Sequence, residues 1–288
     1  MTGPLRHSAL ADRGGLERRH PRIFRPPPGP RVATVALIVG AVGLAICAMW
    51  WLEFSFDRIG SGLVQLGYFL QLMVPPSHGG KLSHYLGALA ETLAIAFLGT
   101  LLAAVLALPA GVLAAKNVVA NRILHFFIRR SLDTVRGVDT LIWALIFVSA
   151  VGLGPFAGML AIAAADFGAF GKLFSEAIEN SDRKPIEGVV ASGGGELHAV
   201  RFGVLPQVFP VMLSQVLYYI ESNTRSATII GIVGAGGIGL HLAEEIRTLE
   251  WDRVAFLVLM ILVTVAVIDF ISARLRFAII GRRVAAPA

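Results

Sequence analysis

The chain has 288 residues, of which 56% are hydrophobic and only 15% charged. Soluble domains carry about 25% charged residues, so the composition excludes an ordinary soluble enzyme and predicts an all-α polytopic membrane protein. The net charge of +6 does not imply a nucleic acid partner. The basic residues gather at the edges of apolar runs, where they set topology and meet the headgroups of a lipid bilayer. Cys47 is the single cysteine and lies in an apolar run; no disulfide within the chain and no metal site is expected. Gly80-Lys81 and Gly171-Lys172 lack the upstream Gly and following Ser/Thr of a phosphate-cradling loop. Any ATP and its Mg must therefore be bound by another chain, and no cofactor is expected in this one.

In chain order, residues 1–31 are Pro- and Arg-rich and are expected to form a disordered, basic cytoplasmic tail. Residues 32–85 hold a first span, Val32 to Trp51, and an outer segment. The length of that run and its Trp50-Trp51 border favour an uncleaved span over a signal peptide. Ile59 to Val74 reads as an amphipathic interfacial helix ended by Pro75-Pro76. Residues 86–276 form the main membrane domain. Leu86 to Ala115 is the second span. Lys116, Arg122, Arg129, Arg130 and Arg136 follow as a cytoplasmic signature. Val138 to Val151 is a short third span, and Phe156 to Phe174 returns as the fourth with Asp166 near its middle. A carboxylate there costs a few kcal/mol unless it is paired, protonated or facing water; a place in the translocation path and a structural hydrogen bond stand as equal readings.

The interval from Ser181 to Pro210 is polar-rich and splits the apolar chain. Helical character from Lys172 to Ala191 is expected to break at Pro185. Gly193-Gly194-Gly195 then stops the helix, because three glycines lose too much backbone entropy to stay helical. Glu196 to Phe202 starts a second short helix, and Pro206 sits in the first turn of a third. The reading is two short helices meeting at a glycine corner on the face of a membrane protein. A fifth span follows, about Pro206 to Ile220, and a sixth, Trp251 to Ala273. Arginines 274, 276, 282 and 283 place the 277–288 tail inside, giving both termini cytoplasmic and about six spans in all.

Between the last two spans lie two further features. Ser222, Asn223, Thr224, Arg225, Ser226 and Thr228 gather one cation with hydroxyl and amide groups, a set suited to a small oxyanion in transit. A Glu221–Arg225 pair at i,i+4 is the structural alternative. Gly234-x-Gly236-x-x-Gly239 fits a dinucleotide fingerprint. That reading, a membrane-bound dinucleotide-dependent enzyme, fails because only about fifty residues follow, half of them a membrane span. Gly231, Gly234, Gly236, Gly237 and Gly239 fit better as close packing between helices, with a possible gate near a dimer axis.

Glu187, Gly193 six residues later and Leu205-Pro206 twelve beyond that resemble the cytoplasmic EAA loop of ABC-importer permeases. Gly188 and Val189 stand where that loop carries two alanines. With GLGPFAG (152–158), KLFSEAIE (172–179), GVLPQVFP (203–210), ESNTRSAT (221–228) and GIVGAGGIG (231–239), the chain from about Leu86 to Arg276 is similar to the permeases of bacterial phosphonate ABC importers; the first 80 residues carry no comparable motif. The resemblance implies a type I, MetI-like permease fold in the bacterial inner membrane and no catalysis by this chain. It implies a homodimer, two ABC ATPase subunits and an extracytoplasmic substrate-binding protein. Glu187, Gly188, Ser192, Gly193, Leu205 and Pro206, in a 181–206 elbow, would couple to the ATPase. The substrate would be phosphonate or a related phosphorus oxyanion, with phosphate, phosphite or D-methionine as alternatives.

Overall fold

The computed structural model describes residue 15, residues 28–118 and residues 121–284. Most of the expected 1–31 tail and residues 285–288 lie outside these. The chain divides into two compact units, 1–68 and 69–288. The first holds α1 (Pro28–Trp51) and most of α2 (Phe56–Leu72). The side chains of α1 are exposed along the apolar stretch Ala33–Trp51, a surface suited to lipid. α2 begins three residues earlier than the sequence suggests and ends at Leu72, ahead of the two prolines.

The second unit is a helical bundle; among the described residues there is no strand. Its elements are α3 (Leu82–Ala114), α4 (Arg122–Arg136), α5 (Thr140–Val151), α6 (Pro155–Glu179), α7 (Arg183–Ala191) and a short turn α8 (Glu196–His198). A wide π-helical stretch (Ala199–Val204) follows, then α9 (Leu205–Gly231), α10 (Ile238–Arg247) and α11 (Trp251–Val284). Among the described residues five helices are long and apolar enough to cross a membrane. A sixth crossing exists only if α4 and α5 are joined across their 85° bend. α5 has 12 residues, about 18 Å of helix, short of the roughly 30 Å of hydrocarbon it would have to cross. The third span is therefore a broken one. Asn121 caps α4, accepting from the Ile123 and Leu124 amides, and Asp139 caps α5, accepting from Leu141. The Asp139 cap lies at the bend, and the Asn121 cap at the far end of α4.

α3 and α6 are the central pair, and small residues let their backbones approach. A Cβ added at Gly99 would lie 2.9 Å from Ile162, and one at Gly111 would lie 2.8 Å from Phe174. Without water to expel between lipid-facing helices, such close packing supplies the attraction. Three apolar layers stack along the pair. One joins Ala103 and Ala107 to Phe170, Phe174, Val208 and Met212. The next joins Ile95 and Ala96 to Ala144, Ala161, Ala227 and Ile230. The last joins Tyr85 and Ala88 to Ile238 and Leu257.

Three boundaries differ from expectation. The break before the elbow falls at residues 180–182, not at Pro185. Asp182 caps α7 by accepting from the Lys184 amide, so Pro185 sits in the first turn, where its missing N–H costs nothing. The fifth span runs on through the polar 222–228 segment to Gly231, because helix hydrogen bonds satisfy that backbone wherever the side chains point. The last helix extends to Val284, so most of the expected C-terminal tail is helical.

The glycine corner of α9 and α10 is the tightest contact. A Cβ at Gly239 would sit 1.9 Å from the Thr228 carbonyl, whereas one at Gly195 meets nothing within 4 Å. Gly239→Ala is expected to destabilise the fold by about 1–3 kcal/mol, read as a lower unfolding midpoint in detergent. Gly195→Ala should change stability by no more than about 0.5 kcal/mol.

Candidate functional site

The elbow stands out first. α7 and the π-helical stretch lie against each other, and a Cβ at Gly203 would touch Ile186 Cα at 3.0 Å. Gln207, in the first turn of α9, holds the pair closed. Its Oε1 accepts from the Asp182 amide at 3.0 Å, and its Nε2 donates to the carbonyls of Asp182 (3.1 Å) and Gly203 (2.6 Å). The corner turns at Gly193, whose φ of +87° is a left-handed conformation that disfavours any side chain. Glu187, Gly188, Ser192, Gly193, Leu205 and Pro206 are all exposed. Around them Val190, Leu197, Val200 and Phe202 are each more than half exposed. Gln207 was not singled out from the sequence: its partner Asp182 lies 25 positions away, and no spacing rule marks the pair.

The expected path residues do not converge on one site. Asn223 and Thr224 are buried, and Arg225 faces outward. Asn223 Nδ2 donates to Thr100 Oγ1 at 2.8 Å and to the Asp166 carboxylate. Asp166 is 5% exposed, so its carboxylate is held by an amide inside the bundle and α3, α6 and α9 are pinned at one level. Arg225 instead meets Asp269 of α11 at 3.2 Å and Glu221 at 3.9 Å. Glu221 also binds Arg276 at 2.8 Å. The i,i+4 pair is present, and the Arg225 charge is met by carboxylates. Thr224 and Thr228 turn their hydroxyls back to the carbonyls of Ile220 and Thr224 on their own helix.

The glycine segment is buried from Gly234 to Gly239. Gly234, Gly236 and Gly237 all have positive φ. The Gly234 carbonyl accepts from the Gly154 amide at 2.9 Å. Glu91 Oε1 accepts from the Gly237 amide and Thr92 Oγ1 from the Ile238 amide, both at 2.8 Å. A Cβ at Gly231 would lie 2.6 Å from the Gly236 carbonyl. The amides a dinucleotide phosphate would need thus already hold side chains of α3, and a helix, not a strand, precedes the turn. Close packing is the reading of these glycines that the geometry supports.

At the other end of the bundle Glu245 is a hub. It is 5% exposed. It accepts from Lys81 Nζ at 2.9 Å, Tyr85 OH at 2.8 Å and Arg253 Nη1 at 3.3 Å. Burial pushes its carboxyl up, but the three donors together outweigh burial and hold it below its ordinary value. Among the described residues no cluster of three or more His, Cys, Asp or Glu side chains could hold a metal ion.

Residues 107–283 match a protein family described as "Binding-protein-dependent transport system inner membrane component". The chain is 39% identical over 244 residues to HtxC of Stutzerimonas stutzeri, named for a phosphite transport system permease; the match covers 84% of this chain and 86% of that one. It is 35% identical to the phosphite transport system permease protein PtxC of the same organism, over 85% and 88% of the two chains. It is 41% identical to the phosphate-import permease protein PhnE of Mycolicibacterium smegmatis, over 71% of this chain and 38% of that one. An inward-facing structure of the MetNI methionine ABC transporter superposes on 70% of this chain and 99% of its own, with a TM-score of 0.61 at 20% identity.

Because Glu245 is held below about 4.5, its ordinary value, its contribution to stability is full above that pH. It is lost as pH falls through the lowered value. The unfolding midpoint of the wild type should therefore exceed that of Glu245→Gln at pH 7, and the gap should close as the solution is acidified below about pH 4.5.

Proposed function

The chain belongs to the family of inner-membrane components of binding-protein-dependent transport systems, and we propose that two copies form the membrane pathway of an ATP-driven importer for phosphonate, phosphite or phosphate. The named relatives support the phosphorus oxyanion. The solved methionine transporter shares the fold at an identity that speaks to fold alone. In this reading the permease subunit catalyses nothing. ATPase subunits hydrolyse ATP at the cytoplasmic face, and a binding protein delivers the anion from outside. Both termini lie inside, consistent with basic residues around 116–130 and 274–283.

The observation that carries the proposal is the elbow. Its apolar crest (Val190, Leu197, Val200 and Phe202) is exposed at a polar end of the bundle, where a protein partner would cover it. It is also fastened to α9 by Gln207. A partner that moved the crest would therefore move α9, which spans 27 residues and carries Asn223, Arg225 and one side of the glycine corner. Glu187, Gly188, Ser192, Gly193, Leu205 and Pro206 form the coupling surface, and Gly231 to Gly239 form the packing joint about which the outer end would open. Residues 86–276 act as the transporting domain.

Glu187→Ala and Gly193→Asp are expected to lower uptake of labelled phosphite at least about tenfold, while the permease stays in the membrane at wild-type amount. The aspartate is forced into a left-handed conformation costing about 1 kcal/mol or more and carries charge into the contact surface. Wild-type uptake by both variants would contradict the coupling assignment.

A further inference from the structure

Arg136 ends α4, and the sequence marks it only as one more cytoplasmic charge. The fold places it elsewhere. A Cβ at Gly168 would lie 2.6 Å from the Arg136 amide and 3.1 Å from its Cα, so the two backbones touch. Gly168 sits near the middle of α6, about 20 Å from its Pro155 end and about 17 Å from its Glu179 end at ~1.5 Å per residue. Asp166, Asn223 and Thr100 share this level. The guanidinium thus starts from mid-bundle depth.

Other cations on these helices, Arg122 apart, meet carboxylates. Lys172 meets Asp133 at 3.3 Å, Arg129 meets Glu179 at 3.1 Å and Arg225 meets Asp269 at 3.2 Å. Arg136 is exposed and, among the described residues, has no carboxylate within ion-pair distance. Asp166 does not serve it: its carboxylate accepts from Asn223 and no ion pair joins it to Arg136. Tyr219 of α9 lies within electrostatic reach of both Asp166 and Arg136. The Tyr219 ring packs on Phe170 at 4.6 Å, and its hydroxyl makes no hydrogen bond among the described residues. An unpaired guanidinium at this depth costs at least several kcal/mol against hydrocarbon. It therefore faces water and whatever anion water carries there.

We propose that Arg136 is the site that holds the transported oxyanion inside the membrane. The inference rests on the functional reading above. A guanidinium offers a planar fork of donors that fits two oxygens of a phosphonate or phosphite. Arg225, for which the sequence offered this role beside a structural pair with Glu221, meets carboxylates and links α9 to α11.

The test uses the whole importer, this permease with its ATPase and binding protein, in proteoliposomes. Wild-type complex that moves none of phosphite, phosphonate or phosphate would overturn the functional reading, and with it the anion assigned here. Given wild-type uptake, Arg136→Gln should lower phosphite uptake at least about tenfold, with binding-protein-stimulated ATP hydrolysis retained; unchanged uptake overturns the site. Arg136→Lys keeps the charge but not the fork. It should raise the KM for uptake with ATP hydrolysis unchanged, and this variant decides the matter if Arg136→Gln fails to assemble; an unchanged KM overturns the site. Arg136→Cys in a Cys47→Ser background should react with a water-borne cationic thiol reagent, and phosphite should slow the reaction. Absence of reaction would place the position against lipid or a second copy of the chain and overturn the proposal.

Discussion

Gln207 ties the elbow to α9. Its amide satisfies both backbone groups of Asp182 and the carbonyl of Gly203. The Asp182 groups lie at the break between α6 and α7, where backbone donors and acceptors have no partner of their own. Closing them with a side chain from the first turn of α9 makes the elbow an extension of that helix rather than a loose loop. The π-helical stretch that follows α8 runs straight into α9, so no hinge separates them on that side either. The lever in this account is mechanical because of these bonds, and the apolar crest is useful only because it is attached to something rigid.

Further into the bundle the governing constraint is satisfaction of polar groups away from water. Asp166 is affordable because Asn223 reaches it, and Asn223 is held in turn by Thr100. The glycine corner follows the same rule. Its amides are exposed by the turn and are taken by Glu91 and Thr92. Glycine is required there for two separate reasons. Gly236 and Gly237 adopt positive φ, and Gly239 leaves room for the Thr228 carbonyl. Where a polar group in the bundle lacks such a partner, as at Arg136, the same rule turns it into a sign of function.

Much of the fold could be read from composition and periodicity. Long apolar runs mark helices α1, α3, α6, α9 and α11, because hydropathy and helix length are local properties. The elbow was legible through Gly193 and Leu205-Pro206, since glycine and proline act on their own backbone. The broken third crossing was not, because the 85° bend between α4 and α5 depends on the Asp139 cap and on packing against Gly168 and Gly171. In the polar segment 222–228, spacing alone does not say which side chains turn inward. Side chains adjacent in sequence are spread around a helix at about 100° each, so Asn223 turned inward and Arg225 outward. Gln207 and Arg136 were missed because their meaning lies in partners, present or absent, that sequence spacing cannot show.

The central claim is that elbow and α9 move as one body. Spin labels at positions 187 and 211 of a Cys47→Ser chain, compared between nucleotide-free and ATP-locked importer, measure this directly. The account predicts that the distance from 187 to 211 within one copy stays fixed while the distance between the two copies' 187 positions changes. A within-copy distance that shifts with nucleotide as much as the between-copy distance would show the elbow swinging on its own, and would contradict the lever.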